Sequence, residues 1–172
     1  MIRKPPDSPA DAGADAGAPL ALHAETVRPE WIDYNGHMNL AYYMLAFDHA
    51  TDAFFDHVGL GADYLKRAGA STFTLEGHIT YEREMMAGAP MRFTTQLLGH
   101  DGKRLHYMHF MYHGAEGWLA ATNELISLHV DMAARRSAPM PENVRQRLDR
   151  IAVGHDRLER PRQAGRVISL ER

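Results

Sequence analysis

The chain has 172 residues, 45% of them apolar and 24% charged, which is enough hydrophobic material for one core of ordinary domain size. A formal net charge of −3 offers no bulk attraction to nucleic acid or to an anionic membrane surface. With no cysteine, disulfides, thiolate metal sites and a cysteine nucleophile are excluded together.

Residues 1–19 are rich in Pro, Ala, Asp and Gly and hold a single large aliphatic, so they are expected to form a disordered leader. The Arg3-Lys4 pair is followed by Asp7 and not by the apolar segment of a secretory signal, and no apolar run approaches the roughly 20 residues that cross a bilayer. A soluble cytoplasmic protein with no membrane or nucleic-acid partner is the expectation. Loose alternation from Leu20 to Glu30 predicts a first strand that stops at Pro29, followed by a loop from Trp31 to Gly36. From Leu40 the period changes to about 3.6: Leu40, Met44, Phe47, Thr51, Phe54 and Val58 share one face of a helix that should be buried and end at Gly59. Asp48, Asp52 and Asp56 form a second, solvated stripe.

A short segment around 62–68 precedes four predicted strands: Ser71–Glu82, Met91–Gly99, Lys103–His113 and Trp118–Met132. Asp101-Gly102 and the glycines at 114 and 117 supply tight connections, so the last three should form a meander. Pro141-Glu142 opens a helix to about Ile151, and residues 157–172 form a basic tail. A long apolar helix among antiparallel strands can be covered only by a sheet that wraps round it, which predicts an α+β domain over 20–135 and a C-terminal helix and tail over 136–172.

The segment Asp33-Tyr34-Asn35-Gly36-His37-Met38-Asn39 lies just before the buried helix. A helix N-terminus presents unsatisfied N–H groups and partial positive charge, suited to a carbonyl oxygen that becomes negative. Donors are expected from Gly36 to Asn39, and the Asp33 carboxylate is placed to attack a carbonyl or to activate water. The same residue types also serve as ordinary helix caps and turns.

Ile32-Asp33-Tyr34-Asn35-Gly36-His37-Met38-Asn39 followed by Tyr42-Tyr43 resembles the signature of the 4-hydroxybenzoyl-CoA-thioesterase-like branch of the hotdog superfamily. The resemblance implies a hotdog fold, thioester hydrolysis with Asp33 in the catalytic position, and carbonyl polarisation by amides near Gly36 to Met38. It also implies a dimer whose sheets join edge to edge with the active sites at the interface; whether dimers pair into tetramers stays open. Leu40 stands where that family often has a second asparagine. A narrower likeness, through Trp31 to Met38, Lys103-Arg104-Leu105-His106, Leu128-His129-Val130-Asp131 and Gly165-Arg166-Val167-Ile168, is to thioesterases of carnitine breakdown that act on betainyl-CoA. Their trimethylammonium substrate calls for aromatic faces, for which Trp31, Tyr34, Tyr42 and Tyr43 are the candidates.

Glu124 shares a predicted strand face with Ala120, Ile126 and Leu128, and with Asp48 it is a candidate second carboxylate. Glu76 lies on the first of the four strands. Arg83, Lys103 and Arg104 are candidate partners for coenzyme A, which enters as part of the substrate and not as a cofactor. Among eleven histidines, His106 and His109 face opposite sides of a strand and His109 and His113 lie roughly 13 Å apart along it, so no metal is expected. There is no Gly-x-Ser-x-Gly elbow and no phosphate loop. The alternatives to a thioesterase are a non-catalytic acyl-CoA-binding hotdog module and a hotdog enoyl-CoA hydratase.

Overall fold

The computed structural model describes residues 17–170; all but the last three residues of the expected leader lie outside that range. The elements run β1 (Leu20–Thr26), a 3-10 turn (Pro29–Trp31), α1 (Leu40–Val58), α2 (Ala62–Ala68), β2 (Ala70–Tyr81), β3 (Pro90–His100), β4 (Arg104–His113), β5 (Leu119–Asp131), β6 (Arg136–Ser137) and α3 (Glu142–His155). The sheet is antiparallel in the order β1-β3-β4-β5-β2, with β6 added to the end of β5. Three hairpin-linked neighbours, β3, β4 and β5, form the expected meander, while β1 and β2 take its two edges. No helix among the described residues is long and apolar enough to cross a membrane.

α1 runs the full length predicted from its period. It starts on Asn39, whose side chain accepts the Ala41 N–H, and it stops at Gly59, which adopts φ 89°, the left-handed conformation that only glycine takes without cost. Its buried face differs from the expected stripe. Phe47, Thr51, Phe54 and Val58 are buried, but Leu40 is 67% exposed and Met44 is also exposed, with Tyr43, Ala46 and Ala50 in their place. The first turn of the helix enters at the rim of a cleft that Leu40 lines, so the sheet covers only the turns beyond it.

Two apolar clusters meet along α1: Phe54, Phe55, Val58, Tyr107 and Leu125 with α3, and Trp31, Met38, Tyr43, Phe47, Met85 and Phe93 behind the Asp33 loop. Between them lies a polar pin. His109 on β4 is fully buried and bonds to Thr51 Oγ1 at 3.0 Å and Thr95 Oγ1 at 2.8 Å. Because Thr51 already donates its hydroxyl hydrogen to Phe47 O, the His109 Nε2–H must donate to Thr51, and Nδ1 then accepts from Thr95. Burial disfavours the charged ring and pushes its pKa down to about 3, so the imidazole is neutral in the folded chain. Below the unfolded value of about 6.5 the unfolded chain takes up a proton that the folded chain refuses. Stability is therefore complete above that pH and falls as pH drops from about 6.5 toward 3, by up to about 1.4 kcal/mol per pH unit. Denaturant midpoints measured across that window should fall steadily, and His109→Gln should flatten the slope.

α3 extends to His155, four residues beyond the predicted end, because tertiary bonds hold its last turn: the Leu97 N–H donates to His155 Nδ1 at 2.8 Å and Nε2–H donates to Ala18 O at 3.1 Å. The tail then crosses the outer face of the sheet. Gln96 donates to Glu159 O, and the Gly165 N–H donates to Glu124 Oε2 at 2.7 Å.

Candidate active site

The loop between β1 and α1 folds on itself. The Gly36 N–H donates to Asp33 O, and Gly36 sits at φ 85°; the Asp33 N–H donates to His37 O, and the Asn39 N–H to Trp31 O. Inside this turn the Asp33 carboxylate is held at both oxygens: Oδ1 accepts the Asn35 N–H at 2.8 Å and Oδ2 accepts from Asn39 Nδ2 at 3.3 Å. Asn39 thus caps α1 with one side-chain atom and orients Asp33 with the other. The carboxylate opens on a cleft of about 330 Å³, bounded on one side by Asn35, His37, Met38, Leu40 and Tyr43 and on the other by Tyr81, Glu82, Arg83 and Glu84.

The amides expected to polarise a carbonyl are distributed differently from the expectation. The Gly36 N–H is bonded within the turn, and the Met38 N–H donates to Met85 O at 2.8 Å, so neither is available. The N–H groups of His37 and Leu40, both cleft-lining residues, have no acceptor among the described residues. His37 Nδ1 donates to Met38 O at 3.3 Å and Nε2 faces Glu84 at 3.7 Å, which sets its ring along the cleft wall.

The proposed aromatic set divides. Trp31 is buried, stacked on Tyr42 at 5.4 Å and with the Arg28 guanidinium 5.0 Å from its ring centroid, so its ring is not open to a ligand; Tyr42 is half-buried beside it and does not line the cleft. Tyr34 is 97% exposed and stands outside the cleft. Tyr43 lines the cleft and meets Tyr81 edge to face at 5.3 Å, while its hydroxyl accepts the Met85 N–H. Tyr81, Glu82 and Glu84 were not anticipated from the sequence. Glu82 is held from the tail, by Gln163 Nε2 at 3.3 Å and Arg162 at 3.9 Å.

Of the expected CoA cations, Arg83 lines the cleft and lies over the Trp118 ring at 4.4 Å. Lys103 and Arg104 do not reach it: Arg104 pairs with Leu128 while the cleft strand Tyr81 pairs with Ala121, seven residues away or about 23 Å along the sheet. Arg104 is instead held in its own turn by Asp101, whose carboxyl it keeps down at about 2. Neither candidate second carboxylate lies in the cleft of its own chain. Asp48 is exposed on α1, and Glu124 is on the outer face, where His106 Nε2 at 2.7 Å and the Gly165 amide hold it. Glu76 lines the same outer recess.

A family model described as the thioesterase-like superfamily matches residues 27–148. A betainyl-CoA thioesterase of Pseudomonas aeruginosa is 43% identical over 151 residues, which cover 88% of this chain and 95% of that protein. The chain belongs to the thioesterase-like superfamily. A bifunctional L-carnitine dehydrogenase/betainyl-CoA thioesterase of Agrobacterium fabrum is 43% identical over 133 residues, or 77% of this chain and 27% of that longer protein. A hypothetical protein of Staphylococcus aureus solved in complex with CoA superimposes with a TM-score of 0.79 at 30% identity, over 88% of this chain and 96% of its own. This thioesterase-like chain has the hotdog architecture and the reaction class, thioester hydrolysis, that its loop signature implied.

Proposed function

We propose that the protein hydrolyses betainyl-CoA, with the Asp33 carboxylate acting directly at the thioester carbonyl. The reading rests on one observation above others: in a chain 43% identical to a betainyl-CoA thioesterase, a doubly oriented carboxylate opens on a cleft with free amide donors beside it. In the general-base route Asp33 takes a proton from water as its oxygen adds to the carbonyl, and returns that proton to the departing CoA thiolate. In the nucleophilic route Asp33 forms a mixed anhydride and expels the thiolate, and water then opens the anhydride. In both, the His37 and Leu40 N–H groups receive the tetrahedral oxyanion, with the positive end of α1 behind them. A cytoplasmic location accords with a CoA thioester as substrate, and release of free thiol separates this reading from a binding module or a hydratase.

The trimethylammonium end would meet the Tyr81 ring and the Glu82 and Glu84 carboxylates, an aromatic face joined to negative charge. The uncharged isostere 3,3-dimethylbutyryl-CoA has the same shape without the cation. Its kcat/KM should fall at least about tenfold below that of betainyl-CoA, a difference of about 1.4 kcal/mol. In Glu84→Gln the gap should narrow. Equal rates for the two esters would sink the cation reading while leaving thioester hydrolysis intact.

The working unit is proposed to be a homodimer formed at β2, the sheet edge nearest the cleft wall, with tetramers as pairs of such dimers. β2 bonds along one side only, and Phe73 and Leu75 project from it into solvent.

A further inference from the structure

β1 leads into the Asp33 loop and α1 leads out of it, and the two stems carry ligand-type side chains that converge. Glu25 Oε1 lies 3.0 Å from His23 Nε2 and 3.0 Å from His49 Nδ1. One atom from each residue lies within 4.8 Å of the other two. His23 and Glu25 are two apart on a strand and so point to one face, and His49 reaches them from the third turn of α1. The His23 ring is backed by Phe93 at 5.2 Å and meets the His49 ring edge-on at 6.0 Å. The three side chains are 23%, 13% and 34% exposed, which leaves them enclosed yet reachable from solvent.

We propose that His23, Glu25 and His49 bind one divalent transition-metal ion of the zinc type, which fastens β1 to α1 across the base of the catalytic loop. Two imidazole nitrogens and one carboxylate oxygen are a borderline donor set suited to Zn²⁺, with a water completing four-coordination. Zinc–ligand bonds of about 2.0–2.1 Å in a tetrahedron place ligand atoms roughly 3.3 Å apart. Two of the three separations are already 3.0 Å and the third is within 4.8 Å, so the ion enters with small adjustments of the three side chains. Asp52, one turn along from His49, adds negative charge nearby. Without metal, a carboxylate can only accept, so both imidazoles must present N–H to Glu25. On binding, each coordinates through that same nitrogen and carries its proton on the other, so uptake competes with the hydrogen-bonded triad and weakens in acid. The site lies in the loop's stems and not in its cleft, so the role is to hold the loop and not to activate water for thioester hydrolysis.

The test uses tag-free full-length protein stripped with chelator and titrated with Zn²⁺ by calorimetry, with metal analysis after gel filtration. One equivalent per chain with micromolar or tighter affinity is expected, together with a higher melting temperature. Co²⁺ in the same protein should give the intense visible bands of a tetrahedral site. Glu25→Gln and His49→Asn, checked by circular dichroism for an intact fold, should each weaken binding at least about tenfold, whereas His113→Asn should leave it unchanged. Failure of the wild-type protein to take up one saturable equivalent overturns the proposal, whatever the variants do. Undiminished binding in both site variants overturns it equally. Hydrolysis of betainyl-CoA is measured separately, so loss of this site would leave the catalytic reading standing.

Discussion

Asp33→Ala should lower kcat at least about 100-fold, the lower end of what a positioned acid or base contributes. Among the described residues the carboxylate is held by the Asn35 amide and the Asn39 side chain and opens on the cleft, so the variant should fold and melt close to wild type. Asp33→Asn is the sharper substitution. It keeps the acceptor for Asn35 but turns a donor toward Asn39 Nδ2, removing charge and orientation together while changing volume little. A single turnover in ¹⁸O-water bears on the route: label in the Asp33 carboxylate marks an anhydride opened at the Asp33 carbonyl, whereas label confined to product fits direct attack by water or an anhydride opened at the acyl carbon, which trapping of the acyl-enzyme then separates. Full activity in Asp33→Ala would remove the central claim of the mechanism.

Leu75→Asp should convert the proposed dimer to a monomer and take most of the activity with it. Leu75 is the extra residue of a bulge between Thr74 and Glu76 on β2, and it is 57% exposed in the isolated chain. A two-fold edge-to-edge junction is isologous, so each substitution enters the interface twice. Burying a leucine is worth about 1.5–3 kcal/mol, and a carboxylate in its place adds the cost of desolvating a charge. A loss of dimer affinity of 100-fold or more follows, readable by light scattering as a fall from twice the 19.3 kDa chain mass to a single chain. A wild-type protein that is monomeric at micromolar concentration and fully active would refute the dimer.

Elements governed by local rules were legible in the sequence. Turn residues at Asp101-Gly102 and Gly114 to Gly117 marked the meander within one residue at most ends, and the 3.6 period with Gly59 bounded α1. Features set by tertiary partners were not. The end of α3 depends on Leu97 and Ala18, and the buried face of α1 depends on where the sheet stops covering it. The same division runs through the site. Asp33, His37 and Asn39 sit in one readable motif, whereas the opposite wall, Tyr81 to Glu84, arrives some fifty residues later with no motif of its own. Its one signal was a run of charge directly after a strand. Antiparallel register alone would have removed Lys103 and Arg104, since the β3-β4 turn lies at the far end of β5 from Ala121. His23 and Glu25 went unread, although strand alternation puts them on one face, because their third partner is twenty-four residues away from Glu25 on a helix.

The seven residues from Asp33 to Asn39 contain two separable instructions. Gly36 turns the chain, Met38 anchors it in the core, and Asn39 starts the helix, so these letters specify a shape. Asp33 brings the carboxylate, which the Asn35 amide and the Asn39 side chain hold at the cleft. On the proposed mechanism, a descendant that exchanged Asp33 alone for asparagine would keep almost all of the signature while losing hydrolysis. Among such sequences, a thioesterase and a receptor for the same ester would differ by one letter.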